Sequence, residues 1–173
     1  MQIRHSHVIL DTCFLINFSA SGHLIEILQS IPARVFVTET VREKELLTLP
    51  NLKDEENAIQ FHQAIEQKIL LVVDFESEAE EELFVNYAYE IGDDGESATG
   101  AIATDDKKAT SVFKREAPHL QILSTLEIVK SWSEKINLSP SELRILLSDI
   151  RVKGRYQPPK NHPLLSWWEN VMK

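Results

Sequence analysis

Apolar positions along this chain fall into short runs of strand length, separated by stretches with a helical period. Val8-Ile9-Leu10 is a short buried strand, and Phe14-Leu15-Ile16 with Leu24, Ile25, Ile27 and Leu28 form apolar faces of the helices that follow. Arg34 to Val37 is β-branched and aromatic enough for a second strand. Thr38 is placed to cap a helix carrying Val41, Leu46 and Leu47, which Leu49-Pro50-Asn51 breaks. Asp54 to Gln67 puts Ala58, Ile59, His62 and Ile65 at helical spacing, and Ile69 to Val73 is the continuous run of a parallel strand covered on both faces. Ser77 to Glu90 predicts a further helix with Leu83, Phe84, Tyr87 and Ala88 on one face. Its start is rich in acid (Glu76, Glu78, Glu80, Glu81, Glu82), where the helix dipole favours negative charge. Ala101 to Thr104 and Gln121 to Ser124 read as two more strands, with Lys107 to Arg115 the helix between them. Ser139-Pro140-Ser141-Glu142 is a helix start, Ser139 as cap and Pro140 at the first position, for a helix carrying Leu143, Leu146, Leu147 and Ile150. Strands alternating with helices predict an α/β fold, a parallel β-sheet flanked by α-helices with extra C-terminal helices. The tail from Pro158 to Trp168 is expected to pack back on it.

Composition narrows the function classes. A chain of 173 residues with 43% hydrophobic content supports one good core. The net charge of −9, from 18 basic and 27 acidic residues, argues against a general polyanion binder, so a nucleic acid partner would need metal ions or a local basic rim. The single cysteine, Cys13, excludes an internal disulfide, fits a reducing compartment and is expected to be a small buried side chain. Met1 to His7 lacks the apolar core of a signal peptide, and no apolar run approaches the roughly 20 residues of a membrane span. A soluble, cytoplasmic protein without a membrane partner is the expectation. The six histidines include no pair spaced for zinc on a helix, and Trp132, Trp167 and Trp168 read as core or interface anchors.

Candidate chemistry lies in acids placed where strands end or helices begin: Asp11, Glu43, Glu96 and the Asp105-Asp106 pair. In an open parallel sheet, sites form at the carboxyl ends of the strands, which gives these acids a reason to meet. Such a cluster repels itself unless a hard divalent cation neutralises it. Each acid also has a structural reading. Asp11 would be a polar cap between strand and helix, Glu43 a solvent-facing helix residue with Glu45 as rival, and Glu96 an acid beside a helix dipole. Within the Asp pair, one member is expected as a ligand and the other as cap of the helix from Lys107. Asp74 also ends a strand. A response-regulator receiver would need paired acids after the first strand, where Thr12 stands, and a dehalogenase-like phosphatase a second aspartate where Cys13 stands; Asp74 is therefore read as a cap.

Val8 to Asn17, Val41-Arg42-Glu43, Gly95-Glu96-Ser97-Ala98 and Thr104 to Ala109 resemble the PIN-domain family in order and spacing over most of residues 7 to 130. The resemblance implies a metal-dependent endoribonuclease using Mg²⁺ or Mn²⁺ on an RNA substrate, often the toxin of a toxin–antitoxin pair such as VapC. Residues 1–130 would form the nuclease domain and 131–173 a helical extension packed on it. Asp11, Glu43, Glu96 and Asp105 would be the catalytic acids holding metal, with Asp106 a second candidate at the last position. Thr12 and Asn17 would support them, and Lys107 and Lys108 would meet phosphate. A small antitoxin protein, placing an Arg among the carboxylates, and a homodimer are the implied partners. A PIN-like module that has lost catalysis and binds protein or RNA is the alternative. In the family Glu96 opens a helix of about three turns; here four strand residues climb roughly 13 Å, whereas five helical residues descend only about 7.5 Å. Residues 96 to 100 would therefore run partly extended, or the strand would be short, or Glu96 would stand apart, with Glu90, Asp93 or Asp94 as substitutes.

Overall fold

The computed structural model describes residues 3, 6–39, 41, 42, 55–73, 100–118 and 120–173. Five strands, β1 (His7–Leu10), β2 (Arg34–Thr38), β3 (Leu70–Val73), β4 (Gly100–Ala103) and β5 (Gln121–Leu123), form one sheet in the order β3-β2-β1-β4-β5. Every pairing is parallel, with Val8 beside Val35 on one side and Ala101 on the other. Among the described residues seven helices accompany it: α1 (Thr12–Ala20), α2 (Leu24–Ser30), α3 (Glu55–Glu66), α4 (Lys107–Glu116), α5 (Thr125–Lys135), α6 (Pro140–Val152) and α7 (Leu165–Met172). All five strands fall where the apolar runs predict them.

Strand alternation divides the core between the two sheet faces. Val8, Leu10, Val35, Val37, Leu70, Ala101, Ala103 and Leu123 point to one face, where they pack with Phe14, Phe18, Ile27, Leu126, Trp132 and Leu147 from the helices. Ile102 points to the other, against Phe113 of α4, Ala117 and Leu120. Because β3 is an outer strand, Leu70 is buried but Leu71 to Val73 are only half-covered, less than the continuous run suggests. On α3 the inward face is Phe61 and Ala64, while Ile59 is 64% exposed and His62 also faces out. Phe61 and Ala64 take the inward positions expected for Ile59 and His62, while Ile65, expected on the same face, does pack partly against the core. Cys13 is likewise exposed, because the first turn of α1 turns Phe14 and Leu15 inward and leaves position 13 outside.

Thr38 caps the following turn, accepting from the Val41 N–H at 3.3 Å; the rest of that expected helix lies outside the described residues, as do the expected helix over 77–90 and Asp74. Ser124 and Ser139 both make full capping boxes, with Glu127 and Glu142. The tail does pack back: Trp168 is buried, its ring edge-on to Tyr156 at 5.9 Å, and Arg144 Nε donates to the Val171 carbonyl at 3.0 Å. Residue 130 falls within α5, so the extension shares a helix with what precedes it. Among the described residues no helix is long and apolar enough to cross a membrane.

Candidate functional site

The strand order reverses direction between β1 and β4, and the carboxyl ends of those two neighbours carry Asp11 and the Thr104-Asp105-Asp106 run. The ladder continues one residue beyond each strand, Asp11 N–H donating to the Ala103 carbonyl and Thr104 N–H to that of Leu123, both at 3.1 Å. Asp11 and Thr104 thus stand side by side, and the Thr104 hydroxyl donates to Asp11 Oδ2. Asp11 also caps α1, its Oδ1 accepting from Phe14 N–H at 3.1 Å.

Asp105 turns toward α5. Its Oδ1 accepts from Thr125 N–H at 3.2 Å, and its Oδ2 accepts from the Thr125 hydroxyl at 2.5 Å and from Asn17 Nδ2 at 3.4 Å. Asn17 is 2% exposed and also donates to Thr125 Oγ1 at 3.1 Å, which closes a polar triangle among α1, α5 and the end of β4. Asp106 faces outward as the cap of α4, accepting from Ala109 N–H at 2.7 Å, while its own N–H donates to Thr104 Oγ1. One member of the Asp pair is therefore a cap, as the sequence reading expected.

Burial raises both buried-side acids. Desolvation pushes Asp105 up to about 6, opposed by the Thr125 hydrogen bonds and reinforced by the nearby Asp11 charge. Asp11 is raised for the same first reason, with Thr104 and the backbone N–H groups of Phe14 and Cys13 pulling it down and Asp106 pushing it up. The Tyr156 hydroxyl is buried near enough to Asp105 for that charge to raise its own ionisation, which burial raises most, yet it makes no hydrogen bond of ordinary geometry. Behind Asn17 lies Gly154: a Cβ there would stand 2.7 Å from Asn17 Oδ1 and 2.6 Å from the Ile150 carbonyl, so the end of α6 backs directly onto the site.

The structure thus brings together Asp11, Asp105 and Asn17, with Asp106, Lys107 and Lys108 at the start of α4 beside them and Thr12 opening α1. Glu43 and Glu96 lie outside the described residues, as do Glu45, Glu90, Asp93 and Asp94; β4 starts opposite His7 and keeps the four-residue length assumed for it. Among the described residues no three Asp, Glu, His or Cys side chains group closely enough to hold a metal ion. The donor set that is present, two partly buried carboxylates with raised ionisation and a neighbouring hydroxyl, is all hard oxygen and suits Mg²⁺ or Mn²⁺ better than a soft metal. Three participants were missed in the sequence. Thr104 had a signal, since it directly precedes the Asp pair, whereas Thr125 and Tyr156 enter only through the packing of α5 and the turn after α6. Comparison with protein families, curated proteins and solved structures finds no match to this chain.

Proposed function

We propose that the chain is a metal-dependent endoribonuclease of PIN type, possessing the acidic site of a toxin nuclease and hydrolysing RNA phosphodiesters at the carboxyl ends of β1 and β4. The observation that carries the reading is the meeting of Asp11 and Asp105 at the point where the strand order reverses, each with burial working against its charge. The all-parallel order accords with a PIN-like sheet, and the bond from Asn17 to Asp105 accords with the supporting role that the resemblance gives Asn17. Asp11 and Asp105 would hold Mg²⁺ or Mn²⁺, with Glu43, Glu96 and Asp106 as the further acids the resemblance supplies. When bound, the cation would lower the pKa of a water and shield the phosphate charge. Thr104 fixes Asp11, Thr125 and Asn17 fix Asp105, and Lys107 and Lys108 offer charge to a phosphate. A small antitoxin would cover such a site with an Arg against the acids.

Thermal unfolding with and without millimolar Mn²⁺, for the wild type and for Asp11→Asn, tests this, since a ligand of the folded state alone raises its stability. A rise in the wild type that is lost in Asp11→Asn, together with Mn²⁺-dependent cutting of RNA, is expected; no rise in either protein defeats the proposal. A second reading, a PIN-like module that binds RNA or protein without cutting, is favoured by one feature: both oxygens of Asp105 are already engaged by Thr125. It predicts partner binding that is indifferent to Mn²⁺.

A further inference from the structure

The acidic balance of the chain leaves open where a polyanion would lie, and α4 supplies the contrast. Within its ten residues it carries Lys107, Lys108, Lys114 and Arg115, all exposed, in a protein of net charge −9. Lys107, Ser111 and Lys114 are spaced four and three apart and so share one side of the helix, while Lys108 and Arg115 repeat seven apart on the adjoining stripe. The opposite side is committed to the sheet through Phe113, which packs against Ile102, Ala117 and Leu120. The stripe begins at Lys107, two residues after Asp105, and runs about 12 Å to Arg115.

Helix stabilisation explains only half of these charges. Lys114 and Arg115 suit the last turn, but Lys107 and Lys108 occupy the first, where the dipole disfavours cations by roughly 0.3–1 kcal/mol each and where the cap Asp106 is the acid that precedes them. Cations kept at the unfavourable end, beside the acidic site, are accounted for by an anion that passes over them.

We infer that the exposed face of α4 is the track for the sugar–phosphate backbone of a single-stranded RNA entering or leaving the acidic site. This rests on RNA being the substrate of the proposed function, and it adds where the strand lies. One short helix side, with its other side packed on β4, offers phosphate contacts along a line and no element to enter a duplex groove, which favours a single strand.

The test is fluorescence anisotropy of a labelled single-stranded RNA oligonucleotide with the full chain in EDTA, so that neither metal nor cleavage is needed. Lys107→Glu with Lys114→Glu should weaken binding at least tenfold, and Lys107→Gln with Lys114→Gln by less. The slope of log affinity against log salt should fall by roughly 0.7 for each lysine that meets a phosphate. Lys135→Glu with Lys160→Glu, an equal charge change away from α4, should leave affinity within about twofold on the same grounds. The track is overturned by no binding of the wild type, by equal losses in both reversal pairs, or by duplex DNA displacing the probe better than single-stranded RNA does. Binding through α4 without Mn²⁺-dependent cutting would defeat the nuclease reading alone; cutting unaffected by the α4 reversals would defeat the track alone.

Discussion

Asp105 sits where two physical demands conflict. The N-terminus of α5 and the Thr125 hydroxyl favour its charged form, yet burial outweighs them and holds its pKa at about 6 against an ordinary 3.8. Between those values the folded protein binds more protons than the unfolded chain, so the stability this group contributes is present at low pH and lost as pH rises. Without divalent cation, urea unfolding should therefore show stability falling by roughly 2–2.5 kcal/mol between about pH 4 and about pH 7 on account of Asp105, with Asp11 adding a loss of the same sign. Asp105→Asn should remove most of that slope, and stability rising across the window would contradict this account. Tyr156 separates ring from hydroxyl: Tyr156→Phe should stay within about 1 kcal/mol of the wild type, because the hydroxyl has only the neighbouring Asp105 carboxylate and no hydrogen bond of ordinary geometry to lose. Tyr156→Ala should cost roughly 3–5 kcal/mol in the same unfolding measurement, because the ring packs on Trp168.

At the level of elements, the joints between helices carry the site. Ser139 holds the start of α6 through a capping box, and Ser139→Ala should lower stability by about 1 kcal/mol, read from the shift of the urea midpoint at constant slope. Gly154 holds the other end. Gly154→Ala should cost roughly 1–3 kcal/mol, because the added Cβ meets the Ile150 carbonyl and Asn17 Oδ1, and neither a helix carbonyl nor a buried amide moves freely. Since Asn17 bonds Asp105, the same substitution should also weaken the Mn²⁺-induced rise in melting temperature; a full rise in a destabilised Gly154→Ala protein would show that α6 supports the fold without bearing on the acids.

Across the whole molecule, the sheet face that takes α1, α2 and α5 also takes α6, Tyr156 and Trp168. The C-terminal helices therefore belong to the same core as the strands that end at Asp11 and Asp105. Unfolding followed by tryptophan fluorescence, which reports Trp132, Trp167 and Trp168, should coincide with unfolding followed by far-ultraviolet circular dichroism, which reports the sheet and helices together. Two separated transitions would mean that the tail melts by itself. Trp168→Ala should shift both probes by the same amount.

Local pattern was enough for the strands, the capped starts of α4 and α6, and the expectation that acids gather at strand ends, because each is dictated by neighbours within a few positions: alternation, a cap three residues before its partner, a charge where an apolar run stops. The rotation of α3 and the exposure of Cys13 were not legible, since which apolar side chains win the core depends on what the opposing surface accepts. A supporting role for Asn17 was expected from resemblance, but its bond to Asp105, Thr125 completing that triangle and Gly154 and Tyr156 backing it depend on α5 and α6 being folded against α1. Sequence by itself determined the five strands, most of the described helices and which acids are candidates; tertiary structure decided which groups share the buried space, because desolvation and hydrogen-bond partnership are set by whatever packs alongside, however distant along the chain.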